Sequence, residues 1–177
     1  FNMGFLSIQL GNADEALTMF KIVLSLDEKH PGALSQAGFI MHASNYHEEA
    51  VKYLQQYVEL EPEDPHGHFV LAQSLAALVR DYEALDEFEK TLALAPNLYR
   101  AWFYKGAILY ALKRYPEAIE SFTEVVQLEP KFAEGFYRRA RAHFAVGNVV
   151  DGVADLDHCL QLEPIHEDAL AMKREMG

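Results

Sequence analysis

The chain has 177 residues, half of them hydrophobic, and its 27 acidic and 15 basic residues give a formal net charge of −12. This hydrophobic content excludes a wholly disordered chain, and no apolar run approaches the ~20 residues that a membrane span needs. The acidic balance argues against binding to nucleic acid or to anionic membranes, because both require basic surface.

The single cysteine, Cys159, excludes an intrachain disulfide and favours a reducing compartment such as the cytoplasm, without identifying it. The sequence starts at Phe1 rather than at methionine, and no signal peptide is visible. We therefore expect it to be part of a longer protein.

Five kinds of residue recur every 34 positions along the chain. The clearest series are the prolines Pro62, Pro96, Pro130 and Pro164, the preceding leucines Leu26, Leu60, Leu94, Leu128 and Leu162, and the Phe/Leu series Phe20, Leu54, Phe88, Phe122 and Leu156. Small residues form the other two series, Ala16, Ala50, Ala84, Ala118 and Gly152, and Gly4, Gly38, Ala72, Gly106 and Ala140. The small residues predict close helix contacts, and the leucine and Phe/Leu series are expected to fill the space between hairpins.

In chain order, the period predicts a partial repeat, four full repeats and a last helix. Their ranges are 1–30, 31–64, 65–98, 99–132, 133–166 and 167–177. Each full unit reads as two helices, as in Tyr99–Leu112 and Pro116–Leu128, because apolar residues recur at spacings of three and four. A proline suits the first turn of a helix and disfavours helix at the residue before it. Residues of a repeat are numbered below by place, with place 1 at 31, 65, 99 and 133.

The two ends of the array differ in character. The first helix carries the apolar residues Phe1, Met3, Phe5 and Leu6, so we expect it to cover a further repeat upstream. The last helix carries Lys173, Arg174 and Glu175 where a stacked helix would be apolar, so we expect a polar cap.

These residues resemble the tetratricopeptide repeat family, whose pattern appears in one unit as Trp102, Gly106, Leu109, Ala118, Phe122 and Pro130. The resemblance covers essentially the whole chain. It implies an all-α fold, a right-handed α-solenoid of antiparallel helical hairpins, forming one domain over residues 1–177. Lys105, Arg139, Gly152 and Glu28 depart from the pattern and are expected to loosen individual pairs.

Helical rotation places a second set of residues on the side of each first helix that faces away from its partner. In the superhelix these residues are predicted to line a concave peptide-binding groove: Phe39, His66, Phe69, Gln73, Arg100, Phe103, Tyr104, Tyr110, Tyr137, Arg138, Arg141 and Phe144. Aromatic clusters of this kind mark interaction sites, and guanidinium groups suit carboxylate or phosphate. The alternative is that neighbouring helices bury the aromatic residues and that the arginines pair with Glu134 or nearby acids.

No catalytic, metal or cofactor site is predicted. The eight histidines lack metal-ligand spacing, and the chain has no phosphate-binding glycine loop and no nucleophile elbow. Most acids, among them Glu87, Glu120 and Asp155, lie on second helices opposite the apolar stripe and are expected to be solvated.

The resulting hypothesis is a non-enzymatic scaffold that binds a peptide or helical segment carrying an acidic group beside apolar residues. Some family members hold the carboxylate of a chaperone tail with a clamp of Lys, Arg and Asn residues. This sequence lacks that clamp, since Gly32 and Gln36 stand where Lys and Arg would be needed. Two alternatives stay open. The chain could be the repeat region of a larger enzyme such as a glycosyltransferase, or it could self-associate through its end repeats.

Overall fold

The structure, a computed structural model, describes residues 2–4 and 12–175, and within them it contains helices and no strand. The helices are α1 (Ala13–Leu26), α2 (Pro31–Ala43), α3 (His47–Leu60), α4 (Pro65–Ala77), α5 (Asp81–Leu94), α6 (Tyr99–Ala111), α7 (Tyr115–Leu128), α8 (Ala133–Ala145), α9 (Val149–Leu162) and α10 (Glu167–Glu175). The chain divides into two compact units, Phe1–Ala95 and Pro96–Gly177. The single domain stays a prediction.

Prolines and capping residues set the helix boundaries. Pro31 and Pro65 open their helices, and the Asp64 carboxylate accepts hydrogen bonds from the backbone N–H groups of His66 and Gly67, at 3.0 and 3.2 Å. Helix α7 begins at Tyr115, one residue before the predicted Pro116. The Asp64 carboxylate thereby satisfies two N–H groups that have no partner inside the helix.

Each unit is built from antiparallel hairpins that pack in sequence. In the first unit the hairpins are α2 with α3 and α4 with α5, and in the second they are α6 with α7 and α8 with α9. A Cβ atom added at Gly38 would lie 2.6 Å from Leu54 Cγ, and one at Gly106 would lie 2.8 Å from Phe122 Cε1. The glycines are therefore required by the close approach of the two helices of one hairpin.

The Phe/Leu series, predicted to fill the space between hairpins, lies against the small residues inside them, as Leu54 does against Gly38, and Phe20 also packs with Ala33 and Ala37 of the next helix. Phe20, Leu54, Phe88, Phe122 and Leu156 are all at most 1% exposed. Burying such side chains contributes about 1.5–3 kcal/mol each to stability. The prediction for the leucine series was wrong. Leu26 is 86% exposed, and its counterparts in the other repeats are also exposed, because each lies in the last turn of a second helix.

Two acids predicted to be solvated lie inside hairpins instead. Asp155 is 6% exposed and accepts two hydrogen bonds from Arg139, at 2.7 and 2.6 Å from Nε and Nη2. Glu87 is largely buried beside His68. The prediction failed because Asp155 meets the guanidinium group of Arg139, which stands where the family has leucine, and Glu87 meets the imidazole of His68.

The departures at Arg139 and Gly152 are matched by partners and do not leave loose contacts. Arg139 is satisfied by Asp155 and also donates from Nη1 to Thr123 Oγ1 at 3.3 Å. A Cβ at Gly152 would lie 2.6 Å from Phe144 Cε1, so the ring of Phe144 occupies the room that an alanine would need.

Candidate peptide-binding faces

The first helix of each repeat carries the residues predicted to bind a ligand. In the second unit, α6 and α8 touch and carry six of them, the second-unit face: Arg100, Phe103, Tyr104, Tyr110, Arg138 and Arg141. In the first unit, α2 and α4 touch and carry four, the first-unit face: Phe39, His66, Phe69 and Gln73. Tyr137 and Phe144 lie on α8 but have different surroundings.

Arg141 is held by aromatic rings. Its Cζ lies 4.9 Å from the ring centroid of Tyr110 and 5.8 Å from that of Tyr137, which is cation–π geometry. Within residues 12–175 no carboxylate lies at ion-pair distance from Arg141. The rings orient the guanidinium group, while its N–H donors can still be offered to an anion.

Arg138 has an acidic partner. Its Nε donates to Glu134 Oε1 at 2.5 Å, and the other oxygen of Glu134 lies 3.0 Å from His166 Nε2. Arg138 Cζ also lies 6.0 Å from the ring centroid of Phe103. The alternative considered from the sequence, pairing with Glu134, therefore applies to Arg138.

Phe103 is the hub of an aromatic cluster. Its centroid lies 5.4 Å from Phe132, 5.9 Å from Tyr104 and 6.0 Å from Phe122, all in edge-to-face arrangements. Tyr104 is 38% exposed, and Arg100 is exposed with its Nε 3.4 Å from the Tyr99 hydroxyl. The face thus presents an exposed tyrosine, the exposed Arg100 and the half-buried Arg138 and Arg141 around an aromatic cluster.

Two predicted groove residues belong to hairpin packing. Tyr137 is only 6% exposed, and burial raises the pKa of its hydroxyl. Phe144 is half-buried against the core and packs over Gly152. Phe144 is thus covered by the second helix of its own hairpin, whereas the sequence alternative had expected burial by neighbouring first helices.

The first-unit face is less basic. The Phe39 ring lies 4.7 Å from the exposed His66 ring across α2 and α4, and 6.4 Å from Tyr57. Phe69 packs 6.0 Å from the buried Phe88, and Gln73 is half-buried. This face offers an imidazole and an amide rather than cations. The predicted first-helix residues Phe1, Phe5 and Leu6 lie outside the described residues.

His42 joins the two helices of the first-unit face. Its Nδ1 lies 2.9 Å from Ser74 Oγ, which in turn donates to the Val70 carbonyl at 2.9 Å. Burial lowers the pKa of His42, and the neighbouring His47, whose ring centroid is 5.4 Å away, lowers it further. A neutral His42 therefore links α2 to α4.

Sequence reasoning missed a polar contact at place 4 of the first helices. His68 Nε2 donates to the Pro62 carbonyl at 3.0 Å, and Trp102 Nε1, 34 residues later, donates to the Pro96 carbonyl at 2.9 Å. His68 Nδ1 also lies 2.6 Å from Glu87 Oε2. The signal was present in the sequence as a ring N–H donor at place 4 with a proline six residues before it.

The described residues hold no group of three or more His, Cys, Asp or Glu side chains that could bind a metal ion. Cys159 is fully buried, and burial raises the pKa of its thiol to about 11, so the thiol stays protonated. No helix in the described part of the chain is long and apolar enough to cross a membrane.

Residues 7–78 and 99–132, together more than half of the chain, match two family models that are both described as "Tetratricopeptide repeat". No curated protein sequence matches the chain significantly. Three solved structures illustrate the structural likeness. YrrB, described as "a TPR protein with an unusual peptide-binding site", has a TM-score of 0.91 at 23% identity over 98% of this chain and 89% of its own.

A crystal structure of MamA has a TM-score of 0.89 at 19% identity, over 93% of this chain and 96% of its own. MamA from Desulfovibrio magneticus RS-1, from residue 41 to its end, has a TM-score of 0.85 at 19% identity over 94% of both chains. These likenesses establish the fold. They confirm the predicted class, an all-α solenoid of antiparallel helical hairpins.

Proposed function

Since this chain belongs to the tetratricopeptide repeat family, whose members act as protein-interaction scaffolds, we propose that it binds a peptide segment without catalysing a reaction on it. The segment would carry a carboxylate beside apolar or aromatic side chains and would lie on the second-unit face. The single observation that carries this proposal is Arg141, a cation oriented by two rings with no carboxylate partner in residues 12–175.

The contacts on this face indicate what each residue would contribute to binding. Arg141 would supply the charged hydrogen bonds, because its planar fork matches a carboxylate. Arg138 would contribute less, because Glu134 already accepts from it. Tyr104 and the edge of the Phe103 cluster would supply the apolar contact, which usually provides most of the affinity at such a site. The peptide-binding site of YrrB, a TPR protein of similar fold, supports the class of ligand.

A displayed random-peptide library, selected on the 177-residue chain, tests the proposal directly. We expect the enriched peptides to share an Asp or Glu beside aromatic or large apolar residues. Arg141→Glu should weaken a selected peptide at least tenfold, and Arg138→Gln should weaken it less.

The matched control is Glu120→Lys, which reverses an exposed charge on the second helix of the same hairpin as Phe103. Glu87 is unsuitable as a control because it pairs with His68. Retained binding in Arg141→Glu together with lost binding in Glu120→Lys would overturn the assignment of the face. Turnover of a selected peptide by the chain would contradict the non-enzymatic part.

A further inference from the structure

The first unit contains a cavity of about 410 Å³ between helices α3 and α5. Its walls and mouth are formed by apolar and charged side chains around one buried histidine, namely Val58, Glu59, Pro62, His68, Lys90, Ala93 and Leu94. None of these residues belongs to the first-unit or second-unit face. The cavity is therefore a separate site that lies mainly on the second helices of the repeats.

The cavity lies where the two following repeats carry a larger ring, and where the preceding repeat has Leu34. His68 is at place 4 of its repeat, the place that is Trp102 in the next repeat and Phe136 in the repeat after that. His68 and Trp102 make the same hydrogen bond to the carbonyl of the preceding proline. An imidazole that replaces an indole in this geometry lacks the fused six-membered ring, so the volume of an aromatic ring is left open.

His68 cannot act as a hydrogen-bonding group toward a ligand. Both of its nitrogens are engaged, Nδ1 with Glu87 Oε2 at 2.6 Å and Nε2 with the Pro62 carbonyl at 3.0 Å, and its side chain is 5% exposed. Lys90 Nζ is bound to the second oxygen of Glu87 at 2.7 Å. The interior therefore offers ring and aliphatic surface, which suits a flat apolar group.

The surroundings of the mouth are acidic. Glu61 and Glu63, on either side of the cavity residue Pro62, are exposed. Lys90 is already neutralised by Glu87, while Glu59 at the mouth is exposed. This charge favours cations next to the group that enters the cavity.

We propose that this cavity binds one aromatic side chain of a partner protein, flanked by Lys or Arg residues. The chemistry is opposite in charge to that of the peptide on the second-unit face. The chain would then hold two partners at once, one acidic and one basic, on separate surfaces.

The probe for this site is the acetylated tripeptide amide Lys-Trp-Lys, titrated into the 177-residue chain and followed by the methyl NMR signals of Val58, Ala93 and Leu94. We expect these signals to shift in a saturable way. Lys-Ala-Lys, which keeps the charges, and Glu-Trp-Glu, which keeps the ring, should each bind at least tenfold more weakly. Equal shifts with Lys-Ala-Lys would reduce the site to a charge effect and overturn the proposal.

Two variants locate the ligand. His68→Trp should fill the cavity with the ring that Trp102 supplies elsewhere, and Ala93→Phe should narrow it from an exposed position that makes no buried polar contact. Both should weaken Lys-Trp-Lys at least tenfold, while Arg141→Glu should leave its binding unchanged. Unchanged binding in folded Ala93→Phe would contradict the proposal, whatever the outcome for the second-unit face.

Discussion

At the scale of single residues, the buried pair of Arg139 and Asp155 makes the sharpest stability prediction. Both oxygens of Asp155 accept from Arg139, and neither side chain is well exposed. Removing one partner leaves the other charge buried without compensation, which costs about 3–5 kcal/mol. We expect Asp155→Ala to lower the free energy of unfolding, measured by denaturant titration, by about 3 kcal/mol.

The double variant Arg139→Leu with Asp155→Ala tests the reason for that loss. It restores the leucine that the family pattern places at 139 and removes both charges, so much of the lost stability should return. Asp157→Ala, which breaks an exposed contact with Lys173, should cost less than about 1 kcal/mol. A double variant no more stable than Asp155→Ala would show that the charge pair is not the cause.

His42 makes the fold sensitive to mild acid. Because burial and the neighbouring His47 lower its pKa in the folded state, the unfolded chain binds the proton more readily. The stability that neutral His42 contributes is therefore fully present above the unfolded pKa of about 6.5 and is lost as the pH falls from there through the lower folded pKa. Between pH 7.5 and 5.5, the free energy of unfolding should fall more for the wild type than for His42→Gln. Parallel pH profiles of the two proteins would contradict this.

At the scale of elements, the turn between the helices of each hairpin has one strained position. Place 15 has positive φ in all four full repeats, with 63° at Asn45, 58° at Val79, 60° at Lys113 and 80° at Gly147. A β-branched residue is disfavoured there by about 1–2 kcal/mol, whereas glycine accepts the conformation. Val79 is also 78% exposed, so its side chain contributes little packing.

We therefore expect Val79→Gly to raise the free energy of unfolding by about 0.5–1 kcal/mol, after the greater flexibility of glycine in the unfolded chain is allowed for. Thermal denaturation measures the change. Gly147→Val is the reciprocal control and should be destabilising, since a Cβ there meets nothing within 4 Å and only the backbone strain counts. A loss of stability in Val79→Gly would mean that the valine has a contact elsewhere.

The helices and hairpin cores were predictable because their signal repeats. A 34-residue period with small residues opposite Phe or Leu leaves one way to pair the helices, and Gly106 against Phe122 follows that rule. The contacts at Asp155 and Glu87 were not predictable from the period, because each depends on a substitution on the facing helix. Both acids lie at place 23. The other full repeats have the half-buried Tyr53 and the buried Ser121 there, so the place itself faces the hairpin interior.

For the candidate faces, helical rotation placed residues on a side of the helix but could not show what that side touches. It identified Arg141, whose guanidinium group lies over the rings of Tyr110 on α6 and Tyr137 on its own helix. It could not separate Arg141 from Arg138, because pairing with Glu134 depends on side-chain conformation. It also could not show that Phe144 turns toward Gly152, since the missing Cβ is a property of the partner helix.

At the scale of the whole molecule, the net charge of −12 sets opposite salt responses for folding and for binding. Excess acids repel one another in the folded chain, and salt screens that repulsion, since the Debye length falls from about 30 Å at 0.01 M to about 10 Å at 0.1 M. Exposed pairs such as Arg80 with Glu83 lose little by screening, because ion pairs in contact with water contribute little to stability. We expect the melting temperature to rise by a few degrees as sodium chloride increases from about 0.01 to 0.3 M.

Over the same range, a selected acidic peptide should bind more weakly, because its carboxylate meets Arg141 on a face that water reaches. Chloride is the suitable anion, since sulfate would stabilise the fold by exclusion from its surface and confuse the two effects. Arg141→Gln should lose most of the salt dependence of binding but keep the rise in melting temperature. If binding and melting temperature both rose with salt, the contact with the peptide would be apolar throughout. The charged part of the proposed recognition would then be wrong.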